Sequence, residues 1–399
     1  MAWTEAEKRA VRSQLESIGL SAAFQTAGRM AALLDYLVDA ELKGDADRLN
    51  QSRIAIDVLG RDAKFDPSAD SIVRVEVGRL RSKLLEYYAG AGKNDAVFVE
   101  LPKGRYKPIL AFRGTGTPAG EDFRQDIKFC KAADGTALAY AISGEGPPLL
   151  KASNWMTHLE FDVQSPVWQH WWVDLSKRHR LIRYDPRGCG LSDWDVGEIS
   201  FEKWISDLET VADAAALEKF ALLGSSQGAA IAIAYAVRHP ERVSHLVLYG
   251  GYVQGQLERN DPVTEEAHRL LQDIVRIGWG KPHGAFRQVF GSMFMPDGTS
   301  DQFRWFDELS RISMSTENAL MTREAAAHVD IGPLLAQVRV PAIVLHAADE
   351  IVVPFSQARM MAAGIPGARL VSLDSKNHIL FAHEPAWKKF VAEVEAFVR

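Results

Sequence analysis

Gly224-Ser225-Ser226-Gln227-Gly228 follows the apolar run Phe220 to Leu223 and opens the alanine-rich stretch Ala229 to Val237. That order reads as a strand, a sharp turn and a helix, with Ser226 rather than Ser225 at the apex. Small residues two before and two after the apical serine suit a strained turn whose helix passes close to the neighbouring strand. Ser226 is therefore the candidate nucleophile, and an acid and a histidine are sought downstream of it. The apolar run Ala342 to Leu345 is followed by His346-Ala347-Ala348-Asp349-Glu350-Ile351-Val352-Val353-Pro354, a strand ending in two adjacent carboxylates. Arg369 to Leu373 reads as a further short strand, and Asp374-Ser375-Lys376-Asn377-His378 as the loop leaving it.

Serine, acid and histidine in that order resemble the α/β-hydrolase superfamily. Two further segments carry the likeness. Asp185-Pro186-Arg187-Gly188-Cys189-Gly190-Leu191-Ser192-Asp193 is similar to the family's turn after its fourth strand, and His239-Pro240-Glu241-Arg242-Val243 to the segment leading into its sixth. The resemblance spans about Glu121 to Arg399 and points to bacterial esterase-like members with Asn-Trp where most have His-Gly. It implies an α/β fold of mostly parallel strands with helices on both faces, and a serine hydrolase acting on a small-molecule ester. Epoxide and haloalkane hydrolysis in this superfamily use an aspartate nucleophile, so Ser226 argues against both.

A serine hydroxyl needs a histidine to take its proton, and the histidine needs a carboxylate to fix its tautomer and stabilise its charge. The resemblance assigns these roles to Ser226, His378 and either Glu350 or Asp349. The family's spacing to the proline of the Val-Pro pair selects Glu350, whereas the commoner residue type is aspartate and favours Asp349. His383 is a competing base, but it immediately precedes Glu384-Pro385, where the last helix is expected to begin. His346, at a strand end, reads as a satisfied core group or a support to the site. For the oxyanion, the backbone N–H of Gln227 stands at a helix N-terminus. Trp155, in the loop Leu149-Leu150-Lys151-Ala152-Ser153-Asn154-Trp155, would supply the second donor by position. Lactonase, thioesterase and perhydrolase chemistry fit the same constellation.

The segment Phe112 to Gly120, rich in Gly, Thr and Pro, divides the chain. Residues 1–113 form an N-terminal domain, 114–120 a linker, and 121–399 the hydrolase-like domain. In the latter, Ile127 to Cys130 and Leu138 to Ile142 flank Asp134-Gly135 as a hairpin. From about 252 to 338, helical patterns with Trp279, Phe286, Phe290, Met293, Phe294, Met295, Trp305 and Phe306 replace the strand signals and read as a cap. In the N-terminal domain, helical patterns end in a long helix from about Ser71 to Tyr88, with Val73, Val77, Leu80, Leu84 and Tyr87 as an apolar stripe. Two short strands follow, joined by Pro102-Lys103-Gly104-Arg105.

Helices followed by a basic hairpin resemble a winged helix-turn-helix. That likeness implies DNA contacts by Arg74, Arg81 and Lys83 from the helix, and by Lys103 and Arg105 from the wing. An even charge balance, and a stripe that needs a covering surface, favour instead a homodimer interface or an active-site cover. A ligand-sensing DNA-binding regulator is the alternative to the enzyme.

Over 399 residues the formal net charge is −6, which argues against indiscriminate nucleic-acid binding by the whole chain and says nothing about one domain. Two cysteines, a charged N-terminus and no 18-residue apolar run predict a cytoplasmic protein with no membrane span. No His/Cys spacing suits a metal, and neither a metal nor a cofactor is expected.

Overall fold

The computed structural model describes residues 3, 5–25, 27–45, 49–62, 65–67, 70–92, 95, 97–101, 106–112, 123–279 and 288–398. The expected linker, the wing residues Lys103 and Arg105, and Phe286 lie outside these. The chain divides into two compact units, Met1–Pro118 and Ala119–Arg399.

The first unit comprises α1 (Glu5–Leu20), α2 (Gly28–Leu42), α3 (Gln51–Asp57) and α4 (Ile72–Ala89), followed by β1 (Val97–Glu100) and β2 (Ile109–Phe112). The two strands pair antiparallel, with Val97 opposite Phe112. Asn50 caps α3 by accepting from the Arg53 N–H at 2.9 Å, satisfying one of the helix's orphan donors. The α4 stripe is covered from within: Val73, Val77, Leu80, Leu84 and Tyr87 are all buried in this unit's own core, against Leu34 and Leu37 of α2 and Ile54 of α3. This corrects the expectation that the stripe awaits a partner surface. A period of 3.6 reveals an apolar face, but not which surface covers it.

The second unit opens with β3 (Gln125–Lys131), β4 (Ala137–Ser143), β5 (Pro148–Ala152), α5 (Leu159–Asp162), α6 (Gln169–Ser176) and β6 (Arg180–Tyr184). It continues with α7 (Phe201–Ala214), β7 (Phe220–Ser225), α8 (Gln227–Arg238) and β8 (Val243–Tyr249). Helices α9 (Pro262–Gly278), α10 (Gln288–Phe294), α11 (Ser300–Ser313), α12 (Thr316–Ala327) and α13 (Gly332–Leu335) fill the interval read as a cap. The unit closes with β9 (Ala342–Ala347), α14 (Phe355–Gly364), β10 (Arg369–Leu373) and α15 (Pro385–Phe397). The strands form one eight-stranded sheet in the order β10-β9-β8-β7-β5-β6-β4-β3. Strand β4 runs antiparallel to both β3 and β6, and every other pairing is parallel.

Alternation along the central strands builds two cores. Leu150, Leu222 and Val344 point to one face, and Leu149, Leu223 and Ile343 to the other. All of β7 is buried, the pattern of a parallel strand covered on both sides. Large side chains of this helical interval join the second core: Trp279, Phe290, Met295 and Phe306 are each no more than 3% exposed. From β5 the chain steps outward to β6 and then returns to the other side of β5 as β7. Such a reversal leaves a crevice beyond the carboxyl ends of the two strands, where open α/β sheets hold ligands. Among the described residues no helix is long and apolar enough to cross a membrane.

Candidate active site

Ser226 stands at that crevice, between the end of β7 and the first residue of α8. Its backbone has φ 51° and ψ −125°, a conformation that a side-chain-bearing residue adopts only under constraint. The constraint is visible in the two flanking glycines. A Cβ on Gly224 would lie 2.5 Å from the Gly228 carbonyl oxygen and 2.6 Å from Ala229 Cα. One on Gly228 would meet the Ser153 and Ala152 carbonyl oxygens at 2.8 and 2.9 Å. Helix α8 therefore starts in backbone contact with the loop after β5. The Ser226 N–H donates to the Tyr249 carbonyl at 2.8 Å and fixes the turn to β8.

The loops after β9 and β10 bring together Glu350 and His378, both buried. His378 Nδ1 lies 2.9 Å from Glu350 Oε1; since a carboxylate only accepts, Nδ1 carries the proton and Nε2 is left as the acceptor. The other carboxylate oxygen, Oε2, accepts from the Val352 and Val353 N–H groups, each at 2.9 Å. His346 Nε2 is 3.2 Å from Glu350 Oε1 and 2.9 Å from the Val353 carbonyl. Burial pushes the Glu350 carboxyl up, but His378 and His346 outweigh it and hold the group down at about 2. Asp349, one step along the strand end, is exposed, and His378 makes no bond to it. In the turn after β9 the two neighbouring side chains diverge: Glu350 is buried against His378 and Asp349 is exposed to solvent. His383 is exposed and stacks on Phe381.

Ser226, His378 and Trp155 line one small cavity of about 20 Å³, whose other walls include Trp168, Trp171, Tyr249 and Phe306. Phe294 of α10 closes on it. The Phe294 carbonyl accepts from the His378 N–H at 2.9 Å, and its ring meets the imidazole edge-on at 5.2 Å. The Gln227 N–H sits in the first turn of α8, where no intrahelical acceptor exists, and points its dipole toward the crevice. Trp155 lies beyond β5 with its ring 5.3 Å from Phe290 and 5.6 Å from Trp279.

Sequence reasoning missed what holds the Trp155 loop. Lys151, the penultimate residue of β5, is fully enclosed; its amine donates to Asn154 Oδ1 at 2.5 Å, and Asn154 Nδ2 donates to the Trp155 carbonyl at 3.2 Å. Burial, and behind it the charge of Arg183, push the Lys151 amine down to about 7. A lysine inside a strand run was the available signal. The Asp185 to Asp193 turn braces the same loop from below. Asp185 accepts from Thr157 Oγ1 at 2.6 Å and from the Leu191 and Leu159 N–H groups at 2.9 and 3.2 Å.

Of the basic residues on α4, Arg74 is exposed, and the Arg81 Nε donates to the Leu101 carbonyl at 2.8 Å. Lys83 pairs with Glu86 at 2.9 Å, and Arg79 with Glu76 at 2.8 Å.

Comparison with known proteins adds to this geometry. Residues 163–385 match the family model described as alpha/beta hydrolase fold. RutD of Azorhizobium caulinodans, whose name provisionally assigns it to carbamate hydrolysis, is 26% identical over 252 residues, covering 62% of this chain and 90% of its own. Pyrrolizixenacetamide deacetylase of Xenorhabdus hominickii is 24% identical over 267 residues, covering 65% and 94%. Among solved structures, the esterase EaEST of Exiguobacterium antarcticum superposes with a TM-score of 0.58 at 23% identity, over 68% of this chain and 98% of that one. At that identity the likeness speaks to the fold alone. The family match runs through the elements carrying Ser226, Glu350 and His378 and takes in more than half of the sequence, so this chain belongs to the α/β-hydrolase family.

Proposed function

We propose that the second unit is a serine hydrolase that cleaves carboxylic esters through an acyl-serine intermediate. Ser226 Oγ attacks the ester carbonyl carbon while His378 Nε2 takes its proton, and Glu350 stabilises the imidazolium. The carbonyl oxygen becomes an oxyanion received by the N–H groups of Gln227 and Trp155. Collapse breaks the bond to the alkoxy oxygen, which leaves with the proton from His378. Water then attacks the acyl-serine by the same route in reverse order of groups, releasing the acid and restoring Ser226.

The observation that carries this reading is the buried Glu350–His378 hydrogen bond opening onto the cavity lined by Ser226. The relatives' names extend from esters to carbamates and amides, and the same groups would attack each of these carbonyls. Aryl esters are the first substrates to test because their leaving groups are the least demanding. Ser226→Ala should lower kcat/KM on such esters by roughly 10⁴-fold or more, with the fold intact. Ser225→Ala should cost far less, and a fluorophosphonate adduct should map to Ser226 by mass spectrometry. Equal, mild losses in the two variants would move the nucleophile elsewhere.

The first unit is proposed as an accessory module rather than a DNA reader. Support comes from α4, where Arg79, Arg81 and Lys83 are spent on partners inside the unit.

A further inference from the structure

Beside the cavity that holds His378 lies a second chamber of about 110 Å³, and Ser226, Trp155 and Phe294 line both. At about 10–15 Å³ for each water-sized group, this second chamber has room for several. Two guanidinium side chains, Arg323 of α12 and Arg259, line it, and among the described residues no Asp or Glu does. Arg259 has an acceptor, the Gln254 carbonyl, at 3.0 Å from its Nε.

Arg323 is different. Its Nε and Nη2 are closed to water, and neither has a hydrogen-bond partner among the described residues. The guanidinium lies over the rings of Trp155 and Phe290, at 5.8 and 5.5 Å from their centroids. Aromatic faces offset part of the cost of burying a cation, but they fill no N–H. Burial pushes the group down to about 10, so it stays charged near neutrality.

Among the described residues no carboxylate is placed to answer it. Glu324, its neighbour on α12, is occupied by His268 at 3.1 Å and Gln272 at 2.9 Å. Glu350 is occupied by His378, His346 and two backbone amides. The unmet pair, Nε and Nη2, is the edge that takes a carboxylate side-on. Arg187 uses that edge elsewhere in this unit, donating from Nε and Nη2 to the two oxygens of Asp207 at 2.8 and 2.6 Å.

The two chambers also divide the substrate. His378 lines the small one, and the alcohol that takes its proton must leave on that side. The acyl chain then extends into the chamber of Arg323. We propose that the acyl half carries a free carboxylate received by Arg323, so that the substrates are monoesters of dicarboxylic acids with a small alcohol; this rests on the ester-hydrolase reading of Ser226. The guanidinium edge meets the carboxylate by swinging about its last torsions toward the chamber, with Arg259 adding a second positive charge at its wall.

The test uses the full chain, monomethyl glutarate and its neutral counterpart methyl pentanoate, with Arg323→Met and Arg323→Lys. Methionine keeps an apolar stem against Trp155 and Phe290 and removes the charge. Wild type should prefer the acid ester in kcat/KM, and Arg323→Met should lower the ratio of the two values by about 100-fold, as when one member of a buried charge pair is removed. Arg323→Lys should recover part of it, a point charge replacing a fork.

Glutarate itself, titrated by calorimetry, should bind wild type and not Arg323→Met, a readout that needs no turnover. A ratio unchanged in Arg323→Met, or glutarate binding indifferent to the substitution, overturns the proposal while leaving the hydrolase intact. Glutarate binding through Arg323 in a protein that hydrolyses no ester keeps the carboxylate site and removes the ester-hydrolase reading. Failure of both sinks both.

Discussion

At the scale of single residues, the candidate site depends on groups held where their solvation or conformation alone would not put them. Holding Ser226 in its φ-positive conformation costs about 1–3 kcal/mol, and the close passage of α8 over β5 is what enforces it. Glu350 is buried yet held at about 2, because His378 and His346 stand on it. Glu350→Gln keeps the shape and removes the charge, so kcat on aryl esters should fall by roughly 10³–10⁴-fold, whereas Asp349→Ala should stay within a few-fold. The reverse ranking would return the acid role to Asp349. The same group makes a stability prediction. Its folded value lies below the ordinary 4.5, so its charged form favours the fold. That contribution is complete above about pH 4.5 and is lost as the pH falls from there through about 2; its size is on the order of 3 kcal/mol. Urea midpoints of wild type and Glu350→Gln measured between pH 5 and 2 should therefore converge on acidification, and a constant gap would disprove the linkage.

At the scale of elements, the decisive contact is backbone against backbone. Gly228→Ala places a methyl 2.8 Å from one carbonyl oxygen and 2.9 Å from another, neither of which can rotate away. Helix α8 must move off β5, carrying the Gln227 N–H with it. A loss of about 1–3 kcal/mol in stability is expected, together with a fall in kcat, measured by thermal melting and aryl-ester kinetics. Gly197→Ala, which meets nothing within 4 Å, is the control and should leave both near wild type. That contact was legible in the sequence because glycine at both positions has few other reasons to flank a serine between an apolar run and an alanine-rich one. Which carboxylate faces His378 was less legible, since both lie in the turn after β9, where the backbone conformation and not the residue type sets the direction. The supports at Lys151 and His346, and the unanswered Arg323, were not legible as such. Their meaning lies in what surrounds them, and periodicity reports burial without naming neighbours. The α4 stripe taught the same lesson from the other side, since Val73, Val77 and Leu80 are covered by helices of their own unit.

At the scale of the whole molecule, the cores are separate in sequence. The buried cluster of the first unit ends at Leu101, and the three clusters of the second draw on no described residue before Phe123. The family match begins at residue 163, so the entire first unit lies outside it. A unit that closes its own core does not need its neighbour to fold. A fragment of residues 119–399 should therefore unfold cooperatively and hydrolyse aryl esters in a Ser226-dependent manner, within a few-fold of the full chain. A fragment that folds but loses activity would mean that the first unit contributes to turnover, and a change in solution mass on truncation would assign it to self-association. DNA is tested on residues 1–118. Among the basic residues described on α4, Arg79, Arg81 and Lys83 are engaged within the unit and Arg74 is left exposed, so this helix alone offers too few phosphate contacts for a steep dependence on salt; Lys103 and Arg105 lie outside the described residues. Anisotropy titrations with duplex DNA at increasing salt should give weak binding that Arg74→Ala with Arg81→Ala barely changes. Tight binding that collapses with salt and with that double substitution would instead make this unit a DNA reader, with its neighbour's ester site serving to sense a ligand.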